Sequence, residues 1–256
     1  MLRKDLKGIY TIWLRDVKRF FRDRGRIIGA TAQPALFLFV LGTGLSSALR
    51  FIGGGGSTFL DFIYPGIIGM TVLFTATFSA LSIVWDREFG FLKEVLVAPI
   101  SRTAIVLGKA CGGSTQAMLQ GLIMLAFAPI LGVRLNLVNV MELIALMILM
   151  SFALTSFGIL IAARMKSMHG FQMVMNFFLM PMFFLSGAMF PIRNLPTWMD
   201  SLVRINPLAY GVDAMRYVLI GPAFQAFPIH VSLAVMAILA AVMIAGAVIS
   251  FNIGDG

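Results

Sequence analysis

One short charged stretch interrupts an otherwise apolar chain: residues 88–102 read EFGFLKEVLVAPISR. It holds two glutamates, a lysine and an arginine, while more than twenty residues on either side carry almost no charge. Read as a helix, it places Phe89, Leu92 and Leu96 on one face and polar groups on the other. Such a helix can lie flat on a membrane and present its polar face to a soluble partner.

The residues that usually carry catalysis or bind metals are few and isolated. Cys111 is the only cysteine, and neither His169 nor His230 has a neighbour at ligand spacing, so the sequence predicts no disulfide and no metal site. GGGGST at 53–58 lacks the lysine of a phosphate-binding loop, and no other nucleotide-binding fingerprint occurs. Catalytic residues and cofactors are therefore not expected in this chain, and any dependence on ATP must come from another polypeptide.

The composition is that of a membrane protein. Of the 256 residues, 59% are hydrophobic and only 12% are charged, which is too apolar for a soluble core but suits side chains that face lipid. Six uncharged runs are long enough to cross about 30 Å of hydrocarbon as helices. The predicted fold class is therefore an all-α integral membrane protein with six transmembrane helices. The runs are 27–49, 62–85, 110–133, 143–163, 171–192 and 229–251.

The distribution of positive charge predicts the orientation. Of the twenty Lys and Arg residues, fifteen lie in residues 1–26, 86–109 and 164–170, which share one side of the membrane, and five lie on the other. The excess places both termini in the cytoplasm. The formal charge of +9 is thus explained by topology and by attraction to anionic membrane lipid, and nucleic acid is not an expected partner.

Residues 1–26 predict an amphipathic helix on the cytoplasmic surface, before a transmembrane domain at 27–256. Leu6, Tyr10 and Trp13 fall on one face of it, and Lys7 and Arg15 on the other. A signal peptide is the alternative, but its apolar core should have roughly 7–15 residues, whereas the run after this segment has 23. We expect the segment to be retained.

The charged stretch then lies in the cytoplasm between spans two and three, as a helix at about 86–102. Pro99 disfavours helical geometry at Ala98, so the helix should break there and the chain turn back to the bilayer. A simple connector is the alternative interpretation, although a shorter turn would have served that purpose.

These residues resemble the membrane subunits of type-2 ABC exporters, the group of daunorubicin-resistance, nodulation-factor and polysaccharide export permeases. That family carries E-x-G-[ST]-x-x-x-[LIV]-x-x-[AS]-P-[IVL]-[ST] after the second span and a Gly-Lys at the start of the third. Phe91 stands where the family has a small hydroxyl residue. The corresponding residues are Glu88, Gly90, Glu94, Pro99, Ile100, Ser101, Gly108 and Lys109.

A second region, residues 186–221, is similar to the extracytoplasmic segment of the same family. It carries the F-P, L-P-x-W, N-P-L and aromatic-x-x-D-x-x-R elements, the last of them at Tyr210, Asp213 and Arg216. We expect a helical extracytoplasmic segment at about 190–228. Because Asp213 and Arg216 are three residues apart on a helix, they can pair on one face, either to stabilise the segment or to gate against backflow.

The resemblance implies an exporter permease with no ATPase site of its own. Such a subunit pairs with a second membrane subunit, usually identical, and with two copies of a separate cytoplasmic ATP-binding subunit that holds the ATP and Mg. The stretch between spans two and three would be the coupling helix that docks on the ATPase. Its docking residues would be Glu88, Gly90, Lys93, Glu94, Pro99 and Ser101.

Span five is rich in Phe and Met and is interrupted by Pro181 and Gly187. Soft side chains suit a pathway for varied amphiphilic cargo, although they equally suit helix packing. The candidate pathway residues are Asn176, Phe177, Phe178, Met180 and Phe184.

Two other classes of protein stay open at this point. An autonomous channel or secondary carrier is opposed by the lack of charge deep in the spans. A membrane scaffold without transport could keep the docking helix. The cargo of an exporter could be a drug, a lipid or a glycan.

Overall fold

The computed structural model describes residues 2–45, 59–90, 100–133, 135–193 and 195–253, and across these ranges the chain is helical and contains no β-strand. The predicted all-α class is confirmed for this part of the chain. A π-helical turn, Leu38–Thr43, continues the second helix, and a 3₁₀ turn, Pro222–Phe224, precedes the last. The helices are α1 (Leu2–Arg22), α2 (Arg24–Phe37), α3 (Phe59–Ser79), α4 (Leu81–Glu88), α5 (Arg102–Leu125), α6 (Leu137–Ala162), α7 (Met168–Phe184), α8 (Thr197–Ile205), α9 (Pro207–Ile220) and α10 (Ile229–Ile253).

Four helical stretches of the described chain are long and apolar enough to cross a membrane: Arg24–Gly42, Phe59–Glu88, Leu137–Ala162 and Ile229–Phe251. They coincide with predicted spans one, two, four and six. Predicted spans three and five correspond to α5 and α7. These two helices are not among those that are long and apolar enough to cross a membrane. The helix α7 has only 17 residues, fewer than the roughly 20 that a perpendicular span needs.

The centre of the bundle is formed by α3, α5 and α6, which pack against one another, with α10 along the outside of α6. Almost every residue of α3 is buried, because α2, α7 and α9 also pack on it. Tyr64 shows how a polar group in this core is satisfied internally: its hydroxyl donates to the carbonyl oxygen of Met124 at 2.9 Å, where α5 ends. In an apolar solvent backbone polar groups need internal partners, because no water is present to replace them.

The N-terminal helix α1, which was predicted to be amphipathic and to lie along the cytoplasmic surface, packs along α5. Leu6, Tyr10 and Phe21 stay exposed and can face lipid, while Ile12 and Asp16 are buried. The predicted boundary at residue 26 also differs. The Asp23 carboxylate accepts a hydrogen bond from the backbone N–H of Arg26 at 3.1 Å, which caps α2, so α1 ends at Arg22 and residues 24–26 belong to the first candidate span.

The segment predicted to be extracytoplasmic is in part an internal element. The helix α8 is largely exposed, whereas residues 208–216 of α9 are buried among α3, α6 and α10. Asn206 caps α9 by accepting from the N–H of Leu208 at 3.1 Å, with Pro207 in the first turn. The chain therefore turns back into the end of the bundle that holds the start of α3.

Candidate functional site

A buried cluster of charges joins α1, α4 and α5. The ammonium nitrogen of Lys109 lies 3.0 Å from Asp86 Oδ2 and 3.3 Å from Asp16 Oδ2, and it also donates to Ser82 Oγ at 3.0 Å. The side chains of Lys109 and Asp16 are each only 5% exposed. The ammonium group therefore has three acceptors, one for each of its protons.

Arg15 completes the cluster from the solvent side. Its guanidinium lies 2.8 Å from Asp86 Oδ2 and 3.4 Å from Asp16 Oδ1, so two cations face two carboxylates. Burial opposes the charge on Arg15, but the attraction of Asp86 and Asp16 outweighs it and raises the pKa of the guanidinium. A buried ion group is tolerated only when it is fully paired in this way, so the cluster ties α1 to α4 and α5 in one arrangement.

Gly108, beside the cluster lysine, allows α1 to approach α5 closely. A Cβ atom at Gly108 would lie 2.9 Å from Cβ of Ile12 and 3.2 Å from the carbonyl oxygen of Ile9. The predicted Gly-Lys element thus has two physical roles: the glycine admits the backbone of α1, and Lys109 binds its carboxylate.

Replacing Gly108 with leucine is expected to destabilise the purified protein by about 1–3 kcal/mol, the usual cost of forcing extra methylenes into a packed interface. The measurement is the midpoint of thermal denaturation in detergent, followed by the loss of the monodisperse chromatographic peak. Gly25→Leu is the matched control, because a Cβ there meets only Asp23 Oδ1 at 3.9 Å. Equal midpoints for the two variants would contradict the close approach.

The N-terminal flank of the predicted coupling helix is held by charged groups at two helix ends. Arg87 donates to the carbonyl oxygens of Met165 at 2.7 Å and Ala163 at 2.8 Å, where α6 ends. The Glu88 carboxylate accepts from the N–H of Met168 at 3.2 Å, at the first residue of α7. Each charge has the sign that favours its helix end. Gly90 follows with φ 79, a left-handed conformation that favours glycine.

The C-terminal flank of the predicted coupling helix, at Ser101 and Arg102, is also held by hydrogen bonds to other helices. The Asp5 carboxylate on α1 accepts from the backbone N–H of Ser101 at 2.8 Å, and Ser101 Oγ caps α5 by accepting from the N–H of Ala104 at 3.1 Å. Arg102 donates to the carbonyl oxygen of Phe251, near the end of α10, at 2.6 Å. The two flanks of residues 91–99 therefore contact α1, α6, α7 and α10.

The predicted coupling helix at 86–102 differs from the structure at both edges. Asp86 to Glu88 form the last turn of α4, and Arg102 is the first residue of α5. Of the predicted docking residues, Glu88, Gly90 and Ser101 are described, whereas Lys93, Glu94 and Pro99 lie outside the described residues. The partners Asp5, Asp16 and Arg87 were not predicted from the sequence. A signal for Asp5 and Asp16 existed, since they are the two carboxylates of an otherwise basic helix.

Asp213 and Arg216, which were predicted to pair on one face of a helix, form no direct ion pair in the described chain, although their opposite charges attract each other. Both residues are 1% exposed, and in the described chain each has other partners. Asp213 accepts from the backbone N–H groups of Ala226 and Phe227, both at 2.9 Å. Arg216 donates to the carbonyl oxygens of Gly187 at 2.6 Å and Phe62 at 3.3 Å, and its guanidinium lies over the Phe62 ring.

The predicted pathway residues share the exposed face of α7. Phe177 is 74% exposed, and Asn176, Met180 and Phe184 are exposed with it. Phe177 and Phe178 also line an apolar cavity of about 610 Å³ between α6, α7, α8 and α10, whereas Met180 and Phe184 do not. Of the five predicted residues, two therefore line the cavity, and the other three, including Asn176, lie only on the exposed face of α7.

Four helical stretches of the described chain that are long and apolar enough to cross a membrane, together with a charged rim at one end of the bundle, indicate a multi-pass membrane protein. Comparison with known proteins identifies its kind: residues 7–220 match the ABC-2 type transporter family, and the chain belongs to that family. It is a permease of an ABC-2 type transporter.

Three relatives illustrate the match. The chain is 30% identical over 207 residues to the transport permease ycf38 of Cyanophora paradoxa, covering 78% of this chain and 71% of that protein. It is 27% identical over 207 residues to nodulation protein J of Rhizobium meliloti, covering 80% and 78%. It is 25% identical over 221 residues to the inner membrane transport permease YadH of Escherichia coli K12, covering 84% and 83%.

Proposed function

We propose that this permease is the membrane subunit of an ATP-driven exporter whose power comes from a separate ATP-binding subunit. Two copies of that subunit would hold the ATP and Mg, and a second, identical membrane subunit would complete the pathway. The membership of the ABC-2 type transporter family supports this assignment, as does the absence of a nucleotide-binding fingerprint from the sequence.

In this proposal the chain crosses the cell membrane six times and keeps both termini in the cytoplasm. The helices α5 and α7 supply the third and fifth crossings, and residues 185–192 extend the short α7 toward the far side. The charged rim formed by α1, the end of α4 and the start of α5 then faces the cytoplasm, in agreement with the positive-inside rule.

The single observation that best supports docking at residues 91–99 is the way their flanks are held. Arg87 and Glu88 on one side and Ser101 and Arg102 on the other bind α6, α7, α1 and α10. A displacement of this segment by an ATPase would therefore be transmitted directly to four helices. ATP binding that favours one arrangement would shift the bundle between inward-open and outward-open states.

We assign the cargo to the amphiphilic or polymeric class: a drug, a lipid or a glycan. The cavity beside Phe177 and Phe178 is lined almost entirely by apolar side chains, and flexible Met and Phe side chains adapt to varied apolar ligands. The exposed face of α7 offers further apolar surface for a pathway shared with a second membrane subunit.

Glu94→Lys and Gly90→Trp are each expected to reduce recovery of the ATP-binding subunit at least about tenfold in a pull-down, while membrane insertion is unchanged. The first reverses a docking charge, and the second places a side chain on a residue with φ 79. Glu142→Lys is the control, because it makes the same charge change at the other end of the bundle. Unchanged recovery for both variants would remove residues 91–99 as the docking element.

Transport is tested separately from docking. Permease and ATPase reconstituted into sealed vesicles should move an amphiphilic probe, such as a fluorescent short-chain glycolipid, only when ATP and Mg are present. Stable association without any ATP-dependent movement of drug, lipid or glycan probes would favour a scaffold. Uphill movement by the permease alone would favour an autonomous carrier.

A further inference from the structure

Two adjoining cavities lie between α1, α2 and α3. The first, of about 390 Å³, runs between α2 and α3 and is mainly apolar, with Ala30 and Phe74 among its walls. The second, of about 310 Å³, lies at the junction of α1 and α2 and is more polar. Arg26 and Phe78 line both, so the two cavities form one groove. We call it the α2–α3 groove.

The polar end of the α2–α3 groove carries net positive charge, since two guanidiniums line it with one carboxylate. Arg19 and Arg26 line it together with Asp23 and Trp85. The Asp23 carboxylate caps α2, and among the described residues no carboxylate forms an ion pair with either guanidinium. Arg19 lies over the Trp85 ring, 4.7 Å from its centroid, which leaves the donors at the guanidinium edge available.

The other end of the groove is apolar and runs along two candidate spans. The walls of this part of the groove are about 12 Å long at the rise of an α-helix. They run from Arg26 to Pro34 on α2 and from Phe78 to Met70 on α3. Gly29 lies on this wall, and a Cβ atom there would meet nothing within 4 Å. One end of the groove thus matches an anionic headgroup and the other an acyl chain.

We propose that the α2–α3 groove binds one acidic phospholipid of the leaflet that α1 faces. Its phosphate is held by Arg26 and Arg19, and one acyl chain lies between Ala30 and Phe74. Two guanidiniums that form no direct ion pair and outnumber the one carboxylate lining the site favour a net anionic headgroup over a zwitterionic one. The proposal uses the orientation given under the proposed function, in which this leaflet is cytoplasmic, but not the docking of an ATPase.

The bound lipid would stabilise the junction between α1 and the first span. That junction contains only Asp23 between the two helices, and Ser82, which lines the same polar end, also accepts from Lys109 of the charge cluster. The lipid would therefore lie one side chain away from the ions that join α1 to α4 and α5.

Native mass spectrometry of the full chain in detergent tests the proposal, with dioleoyl phosphatidylglycerol or dioleoyl phosphatidylcholine added at equal concentration. The wild type is expected to retain one phosphatidylglycerol. Arg26→Gln should weaken retention about fivefold, and the further change Arg19→Gln by about the same factor again, at the usual contribution of one arginine near a lipid surface. Gly29→Phe, which leaves every charge in place, should abolish retention by filling the apolar end.

Arg24→Gln is the matched control, since Arg24 is exposed on the same turn of α2 and lines neither cavity. Equal retention of both lipids, or equal losses in Arg24→Gln and Arg26→Gln, would overturn the proposal. So would a change from dimer to monomer in Gly29→Phe with unchanged lipid retention, since a second copy of the chain would then cover the groove. ATPase recovery by the same variants, measured in parallel, reports the proposed function independently.

Discussion

Lys109→Met should destabilise the permease by about 3–5 kcal/mol, the usual cost of removing one partner from a buried ion group. Methionine preserves the length and volume of the side chain but removes its charge. Asp16, which is 5% exposed, would keep only a 3.4 Å contact with Arg15, and two carboxylates would share that one cation. Repulsion between Asp16 and Asp86 would push α1 away from α4, and the tie between α1 and α5 through Lys109 would be lost.

The measurement is the thermal denaturation midpoint of the purified permease, with and without its ATPase. Lys18→Met is the control, because it removes the same charge from an exposed position on α1 and should change the midpoint little. The double variant Asp16→Asn with Lys109→Met leaves one carboxylate facing Arg15. It should be more stable than Lys109→Met alone, and this non-additivity separates a charge effect from a packing effect.

A Lys109→Met midpoint equal to that of Lys18→Met would show that the cluster does not hold α1. Destabilisation that Asp16→Asn makes worse would show that Lys109 acts through the packing of its methylenes and not through its charge. Either result would contradict the assignment of the cluster as the link between α1 and the bundle.

Most of the fold could be predicted from the sequence because lipid imposes a simple rule on composition. A run near twenty uncharged residues has few stable alternatives to a spanning helix, and four such runs have the expected helices. The two predicted spans that are not among these candidates, at α5 and α7, carry polar side chains. The helix α5 includes Lys109, Gln116 and Gln120, whose cost is recovered only through partners such as Asp16 and the α2 backbone.

The internal position of α9 could not be read from its composition. Asp213 and Arg216 suggested a solvent-exposed helix, yet both are buried, with backbone partners outside their own helix that lie 13 to 154 residues away in the sequence. Such partners depend on the turn at Gly187 and on the loop after α9, and helical periodicity carries no information about either. Their charges alone predicted an exposed pair. Their hydrogen bonds show instead that each side chain binds the backbone of another segment.

The candidate site could be predicted only in part, because its partners are also distant in the sequence. The motif around Glu88, Gly90 and Ser101 is local, and its turn and cap can be recognised within a few residues. Its supports are not local: Asp5 and Ser101 are 96 residues apart, and Asp16 and Lys109 are 93 apart. A single sequence shows that these charges exist but not that they meet.

Asp213→Ala should destabilise the end of the bundle that holds the start of α3 by more than any surface substitution. The backbone N–H groups of Ala226 and Phe227 would lose their acceptor, and each unsatisfied buried donor costs about 1–3 kcal/mol. The loop between α9 and α10 would then detach from α9. Asp213→Asn should lie between the alanine variant and the wild type, because an amide oxygen accepts while its NH₂ group repels the second donor.

Limited proteolysis of the purified protein measures this detachment, since cleavage between residues 221 and 229 should become faster in the order wild type, Asp213→Asn, Asp213→Ala. Asp200→Ala is the matched control: Asp200 pairs with Arg204 at 2.7 Å on the surface of α8, and an exposed pair contributes only about 0.2–1 kcal/mol. If Asp213→Ala loses transport while its proteolysis pattern and denaturation midpoint match those of Asp200→Ala, then Asp213 acts in gating and its role as a structural anchor is wrong.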